Sequence, residues 1–413
     1  MKRSFGSRLL IAGIVAVVVL SGGVLLISRI DRSEPLKAEQ QVLKPGAIEL
    51  GAKTVLDHTV YMDYLRTRAR SPVDYVVEKF QRHDVVMLGE AHQIREDWEL
   101  VSRLIEPVYR RAGVKILAME LIKQGSTEEI NRLLNAPVYD ERRVIQIFRE
   151  DYFYWGFQEY LDILKAVWAF NRTLAPGEEP FRVIGFQPDM DIYRVDCGSL
   201  LQKVIEFPKL LRMEELYARP VLDQVLRNKA KVLVQVGYFH TFLNYRQPKV
   251  VDGKMYGEFA RVRMGQLLKR ELGDRVFQID LHVRHDGADR YTEKPTDPVT
   301  CLLENLYAEN ESVPIGFDVQ DSPFAMLRDT CSWFFKYQKH VTLSDIAQGY
   351  ILQAPFEGLH TVKWVDGFVV PSNFQKLRTY ALQRGLIAQS EGKSPRDLDR
   401  KLSELLAQGV RFP

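Results

Sequence analysis

From about residue 73 onward, short apolar runs alternate with longer stretches whose apolar side chains return every three or four positions. The runs at 84–88, 115–119, 182–186, 231–236 and 275–283 have the length and β-branched content of buried strands. Between them, 96–112 carries Leu100, Leu104 and Val108 on one helical face and stops at Gly113. Residues 155–174 repeat the pattern with Tyr160, Leu164, Val167 and Trp168, and 200–228 and 255–272 also read as helical. Strand and helix in alternation predict an α/β fold: a largely parallel sheet with helices on both faces and helical insertions. Past about residue 286 the pattern loosens. Runs at 313–317 and 361–370, the second broken by Asp366-Gly367, are expected at the sheet edge. Ser394-Pro395 has the form of a helix N-cap followed by proline in the first turn, leading into Leu398, Leu402 and Leu405.

The other strong pattern lies at the N-terminus. Lys2, Arg3 and Arg8 precede an uncharged run over 9–28, which Arg29, Asp31 and Arg32 close. At about 1.5 Å per residue such a helix covers roughly 30 Å, the hydrocarbon thickness of a bilayer. The run exceeds a signal-peptide h-region, no Ala-x-Ala site follows, and no cysteine nearby offers a lipid anchor. Residues 1–28 are therefore expected to be one transmembrane signal anchor and 29–50, polar with few aromatics, a tether. Residues 51–413 are expected to form the α/β domain with its helical tail. Basic residues ahead of the span favour a cytoplasmic N-terminus and an extracytoplasmic domain, although Arg29 and Arg32 pull the other way.

Composition adds exclusions. The chain's 413 residues are 46% hydrophobic and 27% charged, enough for a large core. A net charge of +3 without blocks of like charge argues against nucleic acid as a partner. Cys197, Cys301 and Cys331 show no metal-ligand spacing; Cys301 and Cys331 could pair in an oxidising compartment, or all three could be unpaired.

Chemistry concentrates where the strands end. Gly89-Glu90-Ala91-His92 follows the first run, Glu120 the second, Asp189 the third, and Gly237-Tyr238-Phe239-His240 the fourth. In open α/β sheets, ligands bind beyond the carboxyl ends of the strands, so residues far apart in sequence can share one cleft. Glu90 and His92 are two apart and point the same way in extended backbone. A carboxylate beside an imidazole fixes its tautomer and raises its basicity, suiting it to take a proton from water. The second imidazole, His240, could stabilise developing charge, with Glu120 orienting either ring. The same two histidines and two acids could equally ligate a divalent metal. Structural roles compete: Asp189 could cap the next helix, and Tyr152-Phe153-Tyr154-Trp155 reads as core or pocket wall. His282 and His285, after the fifth run, are weaker candidates.

Taken together, 86–92, Ala118-Met119-Glu120 and 236–240 resemble the superfamily of erythromycin esterases, ChaN-like haem-binding lipoproteins and TraB/TIKI proteins. The pattern of 155–171 followed by 183–187 is similar to that of the esterases, and the resemblance spans roughly residues 80–285. It implies an α/β fold whose cleft holds both histidines and the acids, with water activated near His92 in hydrolytic members. Haem binding is implied by ChaN-like members and metal dependence by TIKI-like ones. One residue separates Glu90 from His92, where the esterases usually have two, and Gln93 stands where ChaN-like members usually carry an acid. The branch is left open.

These readings converge on a membrane-anchored, extracytoplasmic hydrolase acting on an ester, lactone or peptide bond of a small-molecule or peptide substrate. Glu90, His92, Glu120 and His240 are the expected catalytic group, and Arg95 and Asp189 the expected substrate contacts. The alternative is a haem- or metal-binding protein without turnover.

Overall fold

The computed structural model describes residues 42–412 apart from 52–53, 55, 192, 195–197, 200–208, 252–253, 259–261 and 283–295. Eleven strands are labelled in chain order: β1 Ile48–Leu50, β2 Val85–Glu90, β3 Ile116–Lys123, β4 Arg182–Gln187, β5 Val232–Gly237, β6 Pro248–Val251, β7 Lys254–Glu258, β8 Val276–Leu281, β9 Ile315–Asp318, β10 Leu327–Asp329 and β11 Gly349–Leu352. Seven of them form the central sheet in the order β4-β3-β5-β2-β8-β11-β9. Every neighbouring pair is parallel except β11 with β9, which closes one edge antiparallel.

The apolar runs explain the layering. β2 and β5 are buried at every position, as strands covered on both faces must be. Val86 and Leu88 point into one core, with Trp98, Leu104 and Val108 of helix α1 (Arg95–Ala112) and Tyr160, Leu164 and Val167 of α2 (Gln158–Asn171). Val85 and Met87 alternate onto the other face, against Tyr217, Val221 and Val225 of α3 (Met213–Leu226) and Leu268 of α5 (Met264–Leu272). The one-turn helix α4 (Tyr238–Thr241) follows β5 directly. Each large aliphatic side chain so buried contributes about 1.5–3 kcal/mol, and the face it chooses is set by the period-2 pleat. The expected α/β architecture with a mostly parallel sheet is therefore present.

Several boundaries differ from expectation. β3 runs four residues beyond Met119, because Leu121 and Ile122 prolong the apolar run and both are buried; Glu120 lies inside the strand. The first part of 255–272 is not helical: β7 pairs antiparallel with β6. The run 361–370 forms no strand. It makes isolated bridges, Thr361 to Ile94 and Trp364 to Phe157, and buries Val362, Trp364, Val365 and Phe368 as irregular chain. β11, four residues long, supplies the sheet position beside β8 that no pattern announced. Ile48–Leu50 pairs with β10.

At the helical tail the expectation and the structure agree. Ser394 caps α6 (Pro395–Ala407) through a bond from the Asp397 N–H, with proline in the first turn. Cys301 and Cys331 form no disulfide with each other, and Cys331 is exposed; Cys197 lies outside the described residues. The anchor expected over 1–28 also lies outside them. Among the described residues no helix is long and apolar enough to cross a membrane.

Candidate active site

The chain leaves β2 for β3 and β4 on one side of the sheet; after β5 it crosses β2 to reach β8 on the other. Such a reversal opens a crevice beyond the strand ends. β2, β3 and β5 are neighbours there, so Glu90, Glu120 and Gly237 meet although well over a hundred residues separate the first from the last.

Glu90 is the last residue of β2 and shares the face of Val86 and Leu88, so its carboxylate is buried. The backbone then turns through Ala91, and His92 swings back to place Nδ1 2.5 Å from Glu90 Oε1. Gln235 donates from its amide nitrogen to that same oxygen at 3.2 Å, while Glu90 Oε2 has no hydrogen-bond partner among the described residues. A carboxylate only accepts, so Nδ1 carries the proton and Nε2 is left as the basic nitrogen. The Nε2 edge lies against Gly237: a Cβ at that position would sit 3.0 Å from both Cε1 and Nε2. Glycine here makes room for a ring of the protein itself.

Burial alone depresses the His92 imidazole. The Glu90 carboxylate, by charge and hydrogen bond, and Glu120 override it against the opposing Arg411, pushing the pKa up to about 8. The ring also meets Trp155 edge-on at 5.0 Å, and a third of its side chain is open to the cleft.

Glu120 accepts the Gly237 N–H at 2.8 Å through Oε2. Its Oε1 is 3.4 Å from the Tyr217 hydroxyl, which also donates to Gln187, and 3.7 Å from His240 Nε2. His240, on α4, has its Nδ1 2.9 Å from Glu214 Oε2, and Arg263 donates to Glu214 Oε1 at 2.7 Å. Burial alone would raise Glu214, yet His240 and Arg263 hold it down at about 2. The two imidazoles are thus linked through Glu120, with His240 behind it. A cavity of about 220 Å³ opens in front, lined among others by His92, Glu120, Tyr152, Tyr154, Trp155 and Tyr217. The aromatic segment is indeed pocket wall at Tyr152, Tyr154 and Trp155.

The four expected catalytic residues therefore converge, and the two expected substrate contacts do not. Asp189 accepts the Gly125 N–H at 3.0 Å and so caps the turn after β3. Arg95 faces the other way, held by Glu159 at 3.3 Å and the Thr361 carbonyl at 3.0 Å, in a separate cavity of about 580 Å³. His282 is buried in the core, bonded to Tyr350 and 3.3 Å from Glu304; His285 lies outside the described residues.

Residues not anticipated include Gln235, Glu214, Tyr217, Asp97 and Arg411. Gln235 left a trace, as the one polar side chain inside an apolar strand run. Glu214, one of a Glu pair opening α3, looks like any acid placed for the helix dipole. Among the described residues no three His, Cys, Asp or Glu side chains group to hold a metal ion.

No protein-family model and no curated protein matches this chain. Solved structures similar to it include a Bacillus cereus protein, at 14% identity, 72% of this chain, 97% of that one and a TM-score of 0.44. Another is an erythromycin esterase EreC mutant in its open conformation, at 12% identity, 72% and 94% coverage and a TM-score of 0.39. Cofacially haem-bound ChaN of Campylobacter jejuni follows at 12% identity, 51% and 86% coverage and 0.34.

Proposed function

We propose that this protein is a hydrolase that activates water with His92 against an ester, lactone or peptide bond of a small-molecule or peptide substrate. The observation that carries the reading is the 2.5 Å contact of His92 Nδ1 with buried Glu90, which leaves Nε2 basic beside Gly237 and the cleft. In this reading Nε2 takes the proton of a water as its oxygen attacks the carbonyl carbon. The imidazolium so formed is stabilised by Glu90, whose charge no other cation shares at Oε1. The proton then passes to the leaving oxygen or nitrogen as the tetrahedral intermediate collapses, and the ring returns to its neutral form. Glu120 orients the water, and His240, whose Nε2 lies 3.7 Å from Glu120 Oε1, stabilises the charge that develops. Every step uses protein side chains and water.

The same reading puts the cleft outside the cytoplasm, carried by the uncharged run 9–28 behind Lys2, Arg3 and Arg8. Protease protection in intact cells tests that part. The chemistry is tested with the purified full chain on panels of esters, lactones and peptides, with His92→Ala as the comparison. Turnover lost in the variant supports the proposal; equal turnover in both proteins, or none on any panel, overturns it.

A further inference from the structure

Residue 93 is the least expected part of the first motif. Gln93 is 2% exposed and sits at φ +71°, a left-handed conformation that is strained for a residue with a Cβ. It persists only where the surroundings hold it, and the chain that holds it comes from more than three hundred residues away. After α6, Gly409 at φ +79° turns the backbone back, its N–H bonding Leu406 O and that of Val410 bonding Leu405 O. The chain then runs along the turn after β2. Gln93 donates from its amide to Phe412 O at 2.7 Å, and Phe412 N donates back to Gln93 Oε1 at 2.7 Å. Arg411 donates from its guanidinium to the His92 carbonyl at 2.5 Å. Phe412 is buried against Phe157 and Trp364, with ring centroids 5.9 Å apart in both cases.

We propose that Gln93 and the segment 409–412 are positioning elements of the site: they clamp the His92–Gln93 turn and so fix the imidazole on Glu90 and beside Gly237. The segment touches the backbone of His92 and does not line the cleft itself. Its hydrogen bonds leave His92 few ways to turn from Glu90, while Arg411 adds charge where acids collect. The groups around His92 are Glu90 from β2, Glu120 from β3, Trp155 and Tyr152 from the cleft wall, and Arg411; Asp97 of α1 lies behind Glu90. Arg411 opposes these acids, drawing His92 and Asp97 down.

This inference rests on His92 being the base, but its test does not use turnover alone. In the full chain with labelled histidine, the His92 ring signal is identified by its loss in His92→Gln and titrated in the parent, Arg411→Ala, Arg411→Lys and Gln93→Ala. The expected result is a rise of the His92 midpoint in Arg411→Ala by about half a unit to one unit, restored in large part by Arg411→Lys, which returns the charge. Gln93→Ala is expected to shift the ring signals set by Trp155 and to lower kcat about tenfold with KM held, as a misplaced base would. Superposable His92 titrations and ring shifts in folded Arg411→Ala and Gln93→Ala overturn the proposal. Should Arg411→Ala not fold, unchanged His92 ring shifts and kcat in folded Gln93→Ala overturn it equally. A displaced His92 titration in a protein without hydrolysis would leave the clamp standing and remove the hydrolase reading instead.

Discussion

Replacing Glu90 by Gln separates the charge of the dyad from its shape. The amide fills the same buried volume, and its oxygen can still accept His92 Nδ1–H and the Gln235 amide. What disappears is the negative charge that, with its hydrogen bond, lifts His92 to about 8 against burial. With burial and Arg411 then opposed only by Glu120, the midpoint falls by more than a unit, toward or below the ordinary 6.5. A difference of about 1.5 units corresponds to about 2 kcal/mol between the ring's two protonation states, and roughly 1 kcal/mol once water at its exposed third screens the pair. Because the folded-state pKa is raised, this stabilisation is complete below about pH 6.5 and is lost as pH rises through about 8. Two assays follow. The pH profile of kcat/KM in the parent should rise with a midpoint near 8, since only about a tenth of the ring is neutral at pH 7. In Glu90→Gln that midpoint should move down by more than a unit, and the parent's extra loss of Tm between pH 6.5 and 8.5 should vanish. A midpoint within about 0.3 units of the parent's would refute the assignment of Glu90 as the tuning group.

Three further substitutions probe the surroundings. Gly237→Ala places a methyl 3.0 Å from His92 Nε2, so turnover should fall at least about tenfold while the far-UV spectrum and Tm change little. Glu214→Ala leaves His240 and Arg263 without their shared buried carboxylate and should cost about 3 kcal/mol by denaturant unfolding. In the parent, the contribution of Glu214 is present above its ordinary pH of about 4.5 and lost as pH falls through about 2. Asp97→Asn should be tolerated within about 0.5 kcal/mol at pH 7, because burial, with Glu90 and Glu96 beside it, pushes the Asp97 carboxyl well above the usual carboxylate range and so favours its neutral form. A loss of several kcal/mol in that variant would mean that an ionised Asp97 carries weight in the fold.

The sequence made legible what rests on local pattern. Buried runs such as Val232–Gly237 announce a doubly covered strand, and Glu90 and His92 sharing a side of extended chain announce a pair. It hid what depends on contacts between distant parts. Nothing in Glu214 distinguishes it from an acid serving a helix dipole until α5 brings Arg263 against it. Arg95, three residues past His92, looked like a substrate contact, but the helix it begins turns it toward Glu159. The run 361–370 had strand composition without a strand partner; its backbone instead laces the loops after β2 and before α2, with Val362 N on Gln93 O and Gln158 N on Lys363 O. Gln93, with no glycine at a left-handed position, gave no sign that a segment more than three hundred residues on would brace it.

The looseness around Glu120 follows from the same arrangement. Glu90 spends Oε1 on two donors within 3.2 Å, and Glu214 is gripped by His240, Arg263 and the Met264 N–H, all within 2.9 Å. Glu120 has one firm bond, to the Gly237 N–H, whereas its Oε1 is shared between Tyr217 at 3.4 Å and His240 at 3.7 Å. Both are longer than a good hydrogen bond to a carboxylate, and this oxygen belongs to a residue lining the cleft. Catalytic hydrogen bonds are often long in a free enzyme and tighten when substrate arrives. Glu120 Oε1 therefore retains the capacity to accept one more donor, and in the proposed mechanism that donor is the water whose proton His92 takes.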